Sequence, residues 1–367
     1  MKRFYNILLI ITVSFISINA YAGNEQRAGQ AGATELLINP WAASSGWGGA
    51  GMASVSGFEA LYDNVAGTAF TRKTELAFSR VNWLQGTNIY MNNFGLSQKL
   101  GESGGVFSLA INSMDFGEID VTTTEDPDGN GATFHPTYTI ITAAYAKEFS
   151  NSINGGIAFK MINEGISDMK ASGVAIDVGI GYLTGIGKNK LGKKHRDNVH
   201  FGISLKNIGP TMTYNGDGLT FRGSSSNGVV MTVKNRSDQF EMPSLLKIGL
   251  GYDINLVPVV DTSSNKVTSD HKLTLAATFT SNSFTKDIYH FGARYKYKNL
   301  FVVRAGYMLE SGGNSSEVRT INYTGPTAGV SINVPINKKG SHFSIDYSYR
   351  DTEIFSGVHT FGVKVVL

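Results

Sequence analysis

Three stretches of this sequence have residue types at spacings that can do chemistry. Gly101-Glu102-Ser103-Gly104-Gly105 has the Gly-x-Ser-x-Gly spacing of a nucleophile elbow, where a serine sits on a tight strand-to-helix turn beside a positioned histidine and acid. Here both flanks alternate like strands and no helix carrying a histidine follows, so the stretch reads as a hairpin turn. Gly46-Trp47-Gly48-Gly49-Ala50-Gly51 fits Gly-x-Gly-x-x-Gly. A dinucleotide cradle also needs a leading strand and an acidic residue after the next strand. Neither is evident, and the bulk of Trp47 sits in the loop, which favours close backbone packing through small residues. Asp126-Pro127-Asp128-Gly129-Asn130-Gly131 resembles the first half of a calcium loop, in which oxygen ligands alternate before a glycine turn. Thr137 stands where the bidentate glutamate belongs, and a polar turn accounts for the stretch.

The seven histidines, among them His195, His200, His271 and His290, show no ligand spacing of the kind a zinc site requires. No metal, no cofactor and no enzymatic activity is expected. Lys188, Lys190, Lys193, Lys194, His195 and Arg196 form a basic run that could touch lipid phosphates or an acidic partner, although a solvated turn is the plainer reading. A net charge of +3 over 367 residues is too small to argue for a nucleic-acid partner.

The elements that must position any site come from the patterning. Lys2 and Arg3 precede an apolar run from Ile7 to Ile18 and the small-x-small triplet Ala20-Tyr21-Ala22, the layout of a cleaved export signal over residues 1–22. No later window offers the roughly 18 apolar residues of a transmembrane helix, so a membrane location has to come from a closed β-barrel. The chain has 43 glycines, 8 prolines and no cysteine, so sheet closure has to do what disulfides often do in an exported protein.

From 74 to 367 the chain divides into fourteen runs punctuated by Gly, Asn, Asp and Ser: 74–84, 86–99, 104–114, 136–149, 153–164, 171–185, 197–207, 242–256, 270–282, 287–298, 300–310, 322–335, 340–350 and 355–367. Many alternate with period two, as in Phe343, Ile345, Tyr347 and Tyr349 against Ser344, Asp346, Ser348 and Arg350. Runs of this length exceed the five or six residues of soluble strands and suit a membrane. The expected fold is all-β: a transmembrane antiparallel barrel of about fourteen strands over 74–367. Trp83, Tyr90, Tyr145, Tyr182, Tyr252, Tyr297 and Tyr349 would suit its aromatic girdles. An even strand number puts both barrel ends in the periplasm, so 115–135, 208–241 and 311–321 should be external loops. Two internal connections, 186–196 and 257–269, are longer than that rule expects. His359, Phe361, Val363, Val365 and Leu367 close the chain on one face, resembling an outer-membrane insertion signal that usually ends in Phe.

Residues 23–73 lack the alternation. They carry Ser44-Ser45-Gly46-Trp47-Gly48-Gly49-Ala50-Gly51-Met52-Ala53 and then Tyr62-Asp63-Asn64-Val65-Ala66-Gly67, and a fourteen-stranded barrel has a lumen to fill. The segment is expected to be a plug in the lumen, with Gly46, Gly48, Gly49, Gly51, Asn64, Ala66 and Gly67 as its motif. The stretches SSGWGGAGMA and SGFEALYDNVAGTAF resemble the opening of FadL-like barrels, with Val65 where that motif usually has proline. The preceding AGATELLINPWA resembles the PorV/PorQ family of the type IX secretion system. That resemblance implies a FadL-like outer-membrane barrel that meets translocon or secreted cargo proteins, and the loop reading assigns those contacts to the external loops, above all 208–241. The alternative it leaves is a FadL-like transporter of hydrophobic small molecules, in which the plug moves and the molecule leaves through a gap in the wall. The expected surroundings are outer-membrane lipid.

Overall fold

The computed structural model describes residues 23–101, 103–129, 131–188, 197–260, 267–313, 315–337 and 340–367. The signal segment 1–22 and most of the basic run, 189–196, lie outside the described residues. Each of the fourteen expected runs is a strand: β1 (Thr74–Trp83), β2 (Ile89–Lys99), β3 (Val106–Asp115), β4 (Thr137–Glu148), β5 (Ile153–Ile166), β6 (Met169–Thr184), β7 (Val199–Ile208), β8 (Leu245–Asn255), β9 (His271–Asn282), β10 (Ile288–Tyr297), β11 (Phe301–Glu310), β12 (Tyr323–Pro335), β13 (His342–Thr352) and β14 (Val358–Val366). Neighbours in sequence pair antiparallel, and β1 pairs with β14 from Glu75↔Val366 to Asn82↔His359. The sheet is a closed barrel, so its long strands leave no edge unpaired in a hydrocarbon layer.

Alternation sorts the wall into two faces. Outward side chains such as Phe159, Met161, Ile180, Phe201, Leu250 and Phe291 are exposed, whereas the inward positions of the same strands carry Lys160, Asp177, Ser204, Lys247 and His290, all buried. An apolar band of this extent would be an aggregation surface in water and is matched to lipid. With the closed topology, it makes the chain an outer-membrane barrel. Tyr145, Tyr182, Tyr252 and Tyr297 lie on the outer face and are exposed. Trp83 does not join them: it shares the inward parity of Glu75, Ala77, Ser79 and Val81 and packs in the lumen edge-on to Tyr323, with ring centroids 6.2 Å apart.

Phe159 stands near the middle of β5 with 55% of its surface exposed. Phe159→Arg is expected to destabilise the folded barrel by about 2–4 kcal/mol, the usual cost of a lipid-facing arginine at mid-bilayer. Denaturant titration in lipid vesicles measures this, and an unchanged midpoint would place Phe159 away from lipid.

The connection from β7 to β8 is more ordered than a plain loop. Thr220–Ser224 pairs with Val230–Lys234 in a hairpin of its own, and Asn215–Gly216 extends the sheet beside Met169 and Lys170 of β6. At the other end, the long connection after β8 also forms a short hairpin, Pro258–Val260 with Val267–Ser269.

Candidate functional site

Residues 23–73 form a run of short turns. Two single-turn α-helices, α1 (Ala42–Ser45) and α2 (Ala60–Asp63), are flanked by 3₁₀ turns at Thr34–Leu37 and Val65–Phe70. None is long enough to be stable alone, so packing has to hold them. Trp47, Met52, Phe58 and Val65 are fully buried, and Trp41 meets Phe58 edge-on with centroids 4.5 Å apart. At several contacts the wall accommodates this segment by carrying glycine. A methyl group built on Gly95 would overlap the Phe58 ring, one on Gly156 would fall 3.1 Å from the Val65 backbone, and one on Gly292 would fall 2.9 Å from Ala50 Cβ. Gly329 of β12 faces Gly46, a methyl there falling 2.9 Å from the Gly46 Cα.

Wall side chains complete the segment's backbone hydrogen bonds, which lumen burial would otherwise leave unmade. Ser79 donates to the Pro40 carbonyl (2.5 Å), Thr278 to Ala50 (2.9 Å) and Asn154 to Ala66 (2.8 Å). In return, Glu75 accepts from the Phe58 amide at 2.9 Å and Lys364 donates to Glu59 at 2.7 Å.

The residues singled out in the sequence fall into two of these contacts. Gly46, Gly48, Gly49 and Gly51 form one turn, with Gly48 at φ +62° and Gly49 at φ +86°, a conformation that glycine adopts without strain. Its carbonyls reach β10 and β12: His290 Nδ1 donates to Gly48 O at 2.6 Å, and Thr327 donates to Gly46 O at 3.4 Å. Asn64, Ala66 and Gly67 form the second contact. The Asn64 Oδ1 accepts from the Ala66 amide (3.1 Å) and caps the following turn, while its Nδ2 donates to the Ile180 carbonyl of β6 (3.1 Å). The Gly67 amide returns to Asn64 O at 2.9 Å.

On the external side of this segment lies a cavity of about 420 Å³. Its walls are largely apolar, with Ile38, Met114, Phe116, Leu245, Ile288 and Met308 among them. Its polar groups converge from distant strands: Lys247 of β8, His290 of β10, Arg350 of β13, and Tyr62 and Asp63 of the lumen segment. Lys247 Nζ sits 3.3 Å from Asp63 Oδ1. The Arg350 guanidinium has no carboxylate partner among the described residues. It stacks on Tyr323 (4.3 Å to the ring centroid), donates to that hydroxyl at 3.2 Å, and leaves its Nε without an acceptor. Beneath the cavity, Lys206 Nζ is buried over the Tyr62 ring at 3.6 Å and donates to no hydrogen-bond acceptor. Burial pushes the Tyr62 hydroxyl pKa up, with the charge of Asp63 adding to it, so it stays a neutral donor to Leu37 O at 2.6 Å. Burial also raises the carboxyl of Glu35, which lines the same cavity.

Such a volume, with apolar walls and a few convergent polar groups, is the form of a small-molecule site. Sequence reading missed Lys247, Asp63, His290 and Arg350 as a group. The one signal available was that each is a polar residue on the inward parity of its strand or next to the motif.

The other candidates stay apart from it. Gly101 (φ +72°) and Gly105 (φ +78°) turn the chain between β2 and β3. His200 contacts Asp253 at 2.8 Å and His271 contacts Tyr295 at 2.6 Å, while His195 lies outside the described residues. Among the described residues no group of three His, Asp or Glu could hold a metal ion. Asn130 of the calcium-like stretch lies outside them.

Together the closed fourteen-stranded wall, the apolar outer face and the occupied lumen define an outer-membrane β-barrel with a filled lumen. One comparison with a solved structure agrees at the level of fold. The chain is similar to the Pseudomonas putida toluene transporter TodX, with a TM-score of 0.50 at 13% identity over 89% of this chain and 97% of that one. It is also similar to the CymD monoaromatic hydrocarbon channel (TM-score 0.47, 13% identity, 90% and 97% covered) and to a Pseudomonas aeruginosa FadL homologue (0.46, 11%, 88% and 95%). No family model matches the chain, and no curated protein does. The PorV/PorQ membership implied by the sequence resemblance therefore gains no support from these comparisons.

Proposed function

We propose that this barrel admits hydrophobic small molecules from outside, that the N-terminal segment is the plug of its lumen, and that the 420 Å³ cavity is where the molecule is first held. The observation that carries the reading is the cavity itself. A purely sealing packing of segment and wall would leave no such apolar volume beside a buried arginine. The toluene transporter in the comparison supports the reading by fold alone. The secretion role stands on the sequence resemblance, and the external hairpin Thr220–Lys234 adds no specific observation in its favour. The cavity also favours one chemistry among hydrophobic molecules. A buried guanidinium without a carboxylate is costly, and an apolar molecule with an anionic end would supply the missing charge while its body fills the volume.

Binding to the purified barrel tests this with two probes, toluene and octanoate. Both are expected to bind. Arg350→Leu is expected to weaken octanoate at least tenfold, a typical loss for a buried charge-assisted contact, and to leave toluene unchanged. Failure of both probes to bind the unaltered barrel would overturn the reading.

A further inference from the structure

At the periplasmic mouth of the lumen, three adjacent strands place like charges directly opposite one another. Lys272 of β9 faces Lys296 of β10. One step further in on the same inward face, Arg294 of β10 faces Arg304 of β11. Like charges paired across strands destabilise a sheet, and here two such pairs are adjacent. Neutralisation is incomplete. Asp253 reaches Lys272 at 2.6 Å and is shared with His200 at 2.8 Å. Arg294 has a hydroxyl and a ring as partners, Thr274 at 3.2 Å and Trp47 at 4.7 Å to the centroid. Arg304 donates to Ser331 at 2.6 Å. Lys296 makes no hydrogen bond or ion pair among the described residues. All four residues are partly exposed.

We propose that this inward face of β9–β11 is a binding site for a phosphate group. Neighbouring strands are about 4.8 Å apart and alternate residues about 7 Å, so four cationic heads can converge on one tetrahedral anion from different sides. A phosphate offers three or four acceptor oxygens and up to two charges to two guanidinium forks and two ammonium groups. A lone carboxylate would satisfy a single fork. The site is separate from the cavity at Arg350, and it touches the lumen segment through the Arg294–Trp47 stack.

The test is calorimetric titration of the full barrel with pyrophosphate, in nanodiscs of phosphatidylcholine and in nanodiscs containing phosphatidylglycerol. Saturable binding is expected in phosphatidylcholine. It should fall at least tenfold in the double variant Arg294→Gln, Lys296→Gln, whose heat-dependent gel shift checks that the barrel is folded. Competition by phosphatidylglycerol would identify a lipid headgroup as the source of the phosphate, and undiminished binding would identify a soluble one. Absence of binding, or binding that the double variant leaves intact, would overturn the proposal.

Discussion

Gly306→Leu is expected to drive the N-terminal segment off the barrel wall. Gly306 faces inward on β11, and a methyl group there would already overlap the carbonyl oxygen of Trp47 and come within 2.7 Å of the Thr327 hydroxyl. The atom met is backbone, in a turn whose next two residues hold positive φ, so no side-chain rotation relieves the clash. Overpacking of this kind usually costs 1–3 kcal/mol. With four added carbons against a fixed backbone, about 3 kcal/mol or more is expected, enough to move a segment built from single helical turns. The barrel ladder should survive, because leucine suits a strand better than glycine does. In closed vesicles, chymotrypsin should cleave at the buried Trp47 and Phe58 at least tenfold faster than in the unaltered protein, and electrolyte conductance should rise, while the heat-dependent gel shift of the barrel stays. Protected aromatics and unchanged conductance would mean that this contact does not hold the segment.

The strands were legible because lipid imposes two requirements at once. Length is set by the bilayer and alternation by having lipid on one side and a polar lumen on the other, so runs such as Phe343–Arg350 announced both their class and their faces. The same alternation contained the correction for Trp83. Strand-end aromatics look alike in sequence, but Glu75 and Ser79 mark the odd positions of β1 as inward, and Trp83 belongs to that set. The site was less legible. Gly306, Gly329 and Gly292 stand singly on different strands, where an isolated glycine signals close approach without saying of what. Lys247, His290 and Arg350 meet only through barrel closure, which no local pattern encodes. The external hairpin at Phe221–Val233 was missed because its two strands are five residues each, too short to stand out from a polar loop. The secretion-system resemblance rested on the stretch that lines the lumen, and packing a lumen constrains small residues in much the same way whatever the barrel transports.

The second large effect is expected at Asn64. Its amide fills the space over two wall glycines: a methyl on Gly179 would overlap Oδ1, and one on Gly202 would lie 3.0 Å from Nδ2. The oxygen accepts from the Ala66 amide while the nitrogen donates to the Ile180 carbonyl, so the side chain has to be donor and acceptor at once. Aspartate keeps the shape and the cap but turns the donor into a charged acceptor facing a carbonyl, in a site 4% exposed. Asn64→Asp is therefore expected to cost more than Asn64→Ala. Alanine strands two backbone groups at about 1–3 kcal/mol each, whereas aspartate adds an unpaired buried charge, for which 3–5 kcal/mol is typical. Hydrogen exchange at the amides of 65–70 measures it. Protection should fall in the order wild type, alanine, aspartate, and Gly179→Ala in the wall should reproduce the loss with Asn64 intact. If aspartate protected these amides better than alanine, the cap to Ala66 would be the dominant bond and the contact with Ile180 incidental.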